Sequence, residues 1–93
     1  MSKNLYTKNN LQISKLTTKN YSTSFSLGVR MLNRQIQDPI YAIYGFVRYA
    51  DEIVDTFHEY PQDELLDEFI RQTYEAIDRG ISMNPILDSF QWI

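Results

Sequence analysis

The chain has 93 residues and no cysteine, so it holds at most one domain and neither a disulfide nor a thiolate metal site. Hydrophobic residues make up 43% of it, typical of a folded protein, yet there is no apolar run long enough to span a membrane and no signal peptide, so we expect the cytosol. The net charge of −3 and the sparse basic residues argue against a nucleic-acid partner.

Helix signals follow one another along the chain, and no run alternates as a strand does, so we predict an all-α fold. Residues 3–19 are polar, with a few apolar side chains at loosely helical spacing. The hydroxyl cluster over residues 21–25 is typical of a helix start, and a short helix over residues 25–32 is predicted to follow it.

The clearest start signal opens a long central helix. Asp38 is a good N-cap and Pro39 suits the first helical turn, which predicts a helix over residues 39–58. Large hydrophobic and aromatic side chains occupy most of its sides: Ile40, Tyr41, Ile43, Tyr44, Phe46, Val47, Tyr49, Ile53 and Val54. A helix that is apolar nearly all round is normally buried, so we expect this one at the centre of the fold.

Two further helices complete the pattern. Pro61 opens the first, and Gly80 is a suitable C-terminal stop. Asn84 and Pro85 open the second, which is still amphipathic where the sequence ends at Ile93. Because natural domains more often end in polar residues, we expect residues 1–93 to be the N-terminal portion of a longer domain.

One face of the central helix combines charged and aromatic groups. At about 100° per residue, Tyr44, Arg48, Asp51 and Asp55 fall within a stripe about 60° wide. Like charges one turn apart repel each other unless a cation lies between them. The stripe is either an Arg48–Asp51 ion pair with Asp55 reaching water, or the wall of a cavity in which both aspartates bind a hard cation such as Mg²⁺.

Charge is also divided along the chain. Residues 1–37 hold six basic residues and no acidic one, whereas residues 38–93 hold all twelve acidic residues and three basic ones. The two parts could simply attract each other as ordinary solvated faces. Alternatively, a basic segment faces an anionic ligand beside an acidic segment that holds a metal.

Two motifs resemble a known family. Residues 21–25 read Tyr-Ser-Thr-Ser-Phe, and residues 41–55 follow the pattern Tyr-Ala-x-Tyr-x-x-x-Arg-x-x-Asp-[Asp/Glu]-x-x-Asp. Both resemble the N-terminal part of the squalene/phytoene synthase family of head-to-head prenyl transferases, and bacterial phytoene synthases most of all. The resemblance implies the N-terminal part of an all-α isoprenoid synthase bundle, with residues 1–93 forming one portion of a single domain.

The resemblance also implies an activity and its residues. Family members condense two prenyl diphosphates head to head through a cyclopropyl diphosphate. For this chain the expected reaction is the conversion of geranylgeranyl diphosphate to phytoene in carotenoid biosynthesis. Asp51 and Asp55 would form the first metal pair, for Mg²⁺ or alternatively Mn²⁺. The residues expected to contact substrate are Ser22, Ser24 and Arg48 at the diphosphate, and Phe25 and Tyr44 near the reacting carbons. Of these, Tyr44 and Arg48 would be catalytic.

Two departures from the family pattern limit these expectations. Family members often have His where Tyr21 stands, so we assign Tyr21 no role. The family's second Asp-rich helix is absent, so we expect these 93 residues alone to be inactive.

The alternatives are a non-catalytic relative that acts in binding or assembly, and a small helical domain that binds a partner through Phe90 and Trp92. The apolar products of the family would also allow peripheral contact with the inner face of the membrane.

Overall fold

The computed structural model describes residues 2–93, which form five α-helices and contain no strand. The helices are α1 (Lys3–Tyr21), α2 (Thr23–Arg30), α3 (Arg34–Asp55), α4 (Gln62–Arg79) and α5 (Pro85–Trp92). The predicted all-α fold class is therefore confirmed. None of the helices within residues 2–93 is both long and apolar enough to cross a membrane.

Helix α3 is the centre of the packing, because it contacts each of the other four helices. Helix α1 lies against α3 and α5, α2 against α1 and α3, and α4 against α3 and α5. The main hydrophobic cluster lies where α3, α4 and α5 meet, and its members are Phe46, Ala50, Ile53, Phe69, Ala76 and Leu87. Stacking of Phe46 on Phe90, with ring centroids 3.9 Å apart, joins α3 to α5.

Helix α3 begins earlier than the sequence signals predicted, at Arg34 rather than Pro39. The N-cap is Asn33, whose side-chain oxygen accepts a hydrogen bond from the backbone N–H of Gln35 at 2.9 Å. Pro39 therefore lies inside the helix, where it removes one backbone hydrogen bond. The Asp38–Pro39 signal was wrong by about one turn, because Asn33 supplied an equally good cap upstream.

Helix α3 also ends earlier than predicted, at Asp55 rather than His58. The side-chain amide of Gln62 donates hydrogen bonds to the carbonyl oxygens of Ile53 and Val54, both at 3.0 Å. These carbonyls belong to the last turn of α3, where no backbone N–H of the helix can donate to them. The Gln62 amide, at the start of α4, supplies the missing donor. The contact fixes the end of α3 that carries Asp55.

The signals around α4 and α5 are confirmed. Gly80 ends α4 in the left-handed conformation with φ of 72°, which residues other than Gly rarely adopt. Pro85 is the first residue of α5, and the Asn84 side chain accepts hydrogen bonds from the backbone N–H groups of the next turn.

The buried face of α1 is polar, which its scattered apolar residues did not predict. That face consists of Asn10, Ser14, Thr17 and Thr18, whereas Leu16 is 56% exposed. Helix α3 presents Gly45 here, and a Cβ on Gly45 would lie only 3.5 Å from the Ser14 hydroxyl oxygen. The helices approach too closely for large side chains, so small residues occupy the interface.

The expectation that α3 is buried nearly all round was wrong. Only Tyr41, Ala42 and Gly45 are buried on it. Ile43 and Val47 are 45% and 48% exposed, because the other helices pack against different sides of α3. One apolar flank of the helix therefore remains open next to the predicted site.

Candidate active site

The C-terminal half of α3 presents the four predicted residues on one face. Tyr44 and Arg48 are half-buried, and Asp51 and Asp55 are exposed. The expectation that this helix is buried nearly all round therefore fails for its two carboxylates as well. None of the ion pairs within residues 2–93 uses Asp51 or Asp55, so both carboxylates are open to a ligand from solution.

Arg48 pairs with Glu52, not with Asp51 as one interpretation of the sequence predicted. Its guanidinium lies 3.2 Å from Glu52 Oε1. The same carboxylate accepts hydrogen bonds from the hydroxyls of Thr56 and Tyr21, each at 2.9 Å. The Thr56 hydrogen bond first and the Tyr21 hydrogen bond second lower the pKa of Glu52. The Tyr21 pKa is raised, because its hydroxyl donates to that carboxylate.

Tyr21 is a site residue that sequence reasoning missed. Besides its hydrogen bond to Glu52, its ring lies beneath the Arg48 guanidinium, with 5.1 Å between the guanidinium carbon and the ring centroid. Tyr21 is the last residue of α1, so these contacts hold the junction with α2 against α3. The (i, i+4) spacing of Arg48 and Glu52 was a usable signal, but the partnership with Tyr21 depends on the packing of α1 against α3.

The hydroxyl-rich segment forms the start of α2. Ser22 is its N-cap and accepts a hydrogen bond from the backbone N–H of Phe25 at 3.2 Å. Ser24 is exposed. Phe25 stacks on Tyr44 with ring centroids 5.0 Å apart, which brings one predicted pair of cavity residues together.

An apolar groove of about 210 Å³ continues from this aromatic pair along α3. It is lined by Phe25, Ile40, Ile43, Tyr44 and Val47. Asp51 lies one helical turn beyond Val47, a rise of about 6 Å along the helix axis. An apolar surface and open carboxylates are thus adjacent on one helix, an arrangement suited to a ligand with an apolar body and a metal-bound anionic head.

The C-terminal end of α3 gathers negative charge. The last turn has no basic residue, and the negative end of the helix dipole adds to the charges of Asp51 and Asp55. Such a position attracts a cation, and carboxylate oxygens are the ligands that Mg²⁺ prefers. The two carboxylates therefore have the ligand chemistry that suits Mg²⁺, and would supply part of its ligands.

A second pair of aspartates has the same spacing. Asp63 and Asp67 lie one turn apart in the first half of α4, and both are exposed. Across residues 2–93, no three acidic or histidine side chains come together as a metal-binding group. This pair therefore does not complete the one on α3.

Comparison with known proteins decides the family. The squalene/phytoene synthase family model matches residues 18–93, which is most of the chain. The chain belongs to the squalene/phytoene synthase family. The resemblance seen in the sequence is thus confirmed, and both motifs that carried it lie inside the matched residues. Neither the curated proteins nor the solved structures include a match to the chain.

Squalene/phytoene synthase family members are prenyltransferases that join prenyl diphosphates head to head, and they are generally Mg²⁺-dependent. The five helices of this chain agree with the all-α architecture of the family. At family level, therefore, the predicted activity, the prenyl diphosphate substrates and the fold class are confirmed.

Proposed function

We propose that the protein carrying this chain condenses two molecules of geranylgeranyl diphosphate head to head to phytoene, with Mg²⁺-assisted release of diphosphate. The observation that carries the proposal is the adjacency on α3 of an apolar groove and two carboxylates, Asp51 and Asp55, that form no ion pair with residues 2–93. The substrate has the same division, because it joins a diphosphate to a long hydrocarbon. A groove bordered by carboxylates alone would repel the diphosphate, which is why a divalent cation belongs to the proposal.

Asp51 and Asp55 are the residues that would hold the cation. When bound, Mg²⁺, or Mn²⁺ in its place, would neutralise the charge that develops on the departing diphosphate. Glu52 is not part of this set, since its oxygens are already hydrogen-bonded to Thr56 and Tyr21 and paired with Arg48. The two aspartates are thus left for the metal, and Glu52 is the carboxylate that pairs with the Arg48 guanidinium.

Arg48 would bind the diphosphate directly. A guanidinium has five N–H donors, and only one is engaged by Glu52. The Nε atom of Arg48 is buried without a hydrogen-bond partner in residues 2–93. Donors therefore remain for phosphate oxygens, while Glu52 and the ring of Tyr21 hold the group in place. Ser22 and Ser24, at the start of α2, would supply hydroxyls to the same diphosphate.

Phe25 and Tyr44 would face the reacting carbons. The two rings are stacked with their centroids 5.0 Å apart, and both line the groove. Aromatic faces stabilise a carbocation through their quadrupoles, and the apolar wall excludes water that would otherwise capture it. The open flank formed by Ile43 and Val47 would accept the hydrocarbon.

The two carboxylates of α3 make up only part of a metal site for two diphosphates. The family's second Asp-rich helix is not among residues 1–93, so we propose that these residues alone do not turn over substrate. Turnover is therefore to be measured on the whole protein in which the chain occurs.

The test is diphosphate release from geranylgeranyl diphosphate in the presence of Mg²⁺. Asp51→Asn and Asp55→Asn should each lower turnover by orders of magnitude and leave the helical content unchanged, because both side chains are exposed. The matched control is the double variant Asp63→Asn and Asp67→Asn, which changes an exposed pair of the same spacing and should retain turnover.

Two results would contradict the proposal. Unchanged turnover in both α3 variants would remove the metal assignment. Absence of turnover with any prenyl diphosphate, in a folded wild-type protein, would instead favour the non-catalytic relative that acts in binding or assembly. Trials with shorter prenyl diphosphates decide the chain length of the substrate.

A further inference from the structure

We infer that a basic cleft between α1 and α2 binds a phosphate group at a place separate from the proposed active site. The cleft measures about 270 Å³. Its lining residues are Lys15, Lys19, Thr23, Ser26, Leu27 and Arg30. Three cations and two hydroxyls thus converge on one depression, and no acidic side chain lines it.

The three cations have no anionic partner within the described part of the chain. The ion pairs of residues 2–93 use Arg48, Arg71 and Arg79. The first 37 residues contain no acidic residue at all, so the sequence around the cleft offers no counter-charge. Cations gathered on one depression repel one another, and an anion that enters it relieves that repulsion.

The donor set suits the oxygens of a phosphate group. Lysine provides a point charge, arginine a planar fork of donors, and each hydroxyl one further donor. Ser26 is buried in the wall of the cleft. The Lys15 ammonium lies 5.9 Å from the ring centroid of the buried Tyr41, a contact that restricts the position of one of the cations.

The cleft and the proposed active site lie on different faces of α2. At about 100° per residue, Thr23, Leu27 and Arg30 lie roughly 140–200° around the helix from Phe25, which stacks on Tyr44. The cleft shares no lining residue with the apolar groove or with the α3 carboxylates. Its lining residues also differ from those proposed to contact the diphosphate that Arg48 would bind, with Thr23 lying between Ser22 and Ser24 in the sequence.

Helix dipoles offer a simpler reason for part of this arrangement. Lys19 and Arg30 occupy the last turns of α1 and α2, where a cation stabilises the helix. That reason does not cover Lys15, which lies more than a turn before the end of α1. It also predicts no preference for a ligand, so binding measurements separate the two explanations.

The experiment compares two triple variants of the whole protein in which the chain occurs. The cleft variant combines Lys15→Gln, Lys19→Gln and Arg30→Gln. Two probes are used: inorganic phosphate, followed by the shifts of backbone amide signals, and vesicles of phosphatidylcholine with or without phosphatidic acid, followed by co-sedimentation.

The control variant combines Lys3→Gln, Lys8→Gln and Arg34→Gln. It has the same net charge as the cleft variant and loses its cations from the same basic segment, but outside the cleft. A general attraction between a basic segment and an anion would be lost equally in both variants.

We expect wild type and control to bind with similar affinity. The affinity of the cleft variant should be lower by a factor of about ten or more. In wild type, phosphate should shift the amide signals of Thr23 and Ser26.

Binding of inorganic phosphate identifies a free phosphate compound as the ligand, and binding only to vesicles with phosphatidic acid identifies a lipid headgroup. Equal losses in the two variants, or no binding of either probe by wild type, would overturn the inference. Because the Asp51 and Asp55 site takes no part, neither result depends on the proposed function.

Discussion

The aspartates of this protein occupy two opposite environments. Asp88, on α5, is 2% exposed and accepts hydrogen bonds from the Asn10 amide at 2.9 Å and the Ser82 backbone N–H at 3.0 Å. Asp51 and Asp55, on α3, are exposed and take part in no ion pair within residues 2–93. One carboxylate is thus fully engaged by the fold, and the other two are left open.

The difference separates carboxylates that hold the structure from those available to a ligand. A buried charge must be hydrogen-bonded or paired, and Asp88 meets that need by joining α1, the loop before α5 and α5 itself. The same requirement does not apply to Asp51 and Asp55, because water solvates them. Their common face and their place at the negative end of the α3 dipole are what the proposed cation site requires.

The largest stability effect is expected at Asp88. Asp88→Ala leaves the buried Asn10 amide and the half-buried Ser82 N–H without their acceptor, and should lower the free energy of unfolding by about 3 kcal/mol. Asp51→Ala, its matched control, should change that free energy by no more than about 0.5 kcal/mol, since the site is exposed. Urea unfolding followed by circular dichroism measures both. Equal effects of the two substitutions would erase the distinction between the regions.

A smaller effect should appear on acidification, through Glu52. The pKa of Glu52 is lowered by hydrogen bonds from Thr56 and then Tyr21, so its interactions favour the ionised form. The resulting stability is fully present above the ordinary pKa of 4.5 and is lost as the pH falls through the lowered value. Wild type should therefore lose its advantage over Glu52→Gln as the pH falls below 4.5. A constant difference in unfolding free energy across that range would contradict the network.

The smallest effect expected is a gain in stability. In the absence of metal, Asp55→Asn removes a negative charge from the C-terminal turn of α3 and from the neighbourhood of Asp51, and should raise the free energy of unfolding by about 0.5 kcal/mol. The same urea measurement without divalent cations tests it. A loss of stability would show that Asp55 has a structural partner, as Asp88 does.

The sequence predicted the parts of this protein that depend on local chemistry. The stop at Gly80, the start at Asn84 and the shared face of Asp51 and Asp55 follow from caps and helical periodicity, and the structure confirms them. The predicted start of α3 was too late, because Asp38 is a plausible N-cap in the sequence but the helix is capped by Asn33. The roles of those aspartates as metal ligands remain a prediction.

What the sequence could not supply depends on contacts between helices. The hydrogen bond of Tyr21 to Glu52 joins residues far apart in the chain and requires α1 to lie against α3. The polar buried face of α1 follows from its close approach to Gly45, which no periodicity reveals. The exposure of Val47 likewise depends on which sides of α3 its neighbours cover.

The central claim is that the aspartates of α3 form the cation site, and the similarly spaced pair Asp63 and Asp67 provides the comparison. Both pairs are exposed, but Asp51 and Asp55 lie at the negative end of a helix dipole and Asp63 lies in the first turn, at a positive end. The decisive measurement is a titration of the ¹⁵N-labelled protein with Mn²⁺, whose paramagnetism broadens nearby amide signals. We predict that broadening begins around Asp51 and Asp55 and is abolished there by Asp51→Asn with Asp55→Asn. Equal broadening at the two pairs, or earlier broadening on α4, would contradict the claim.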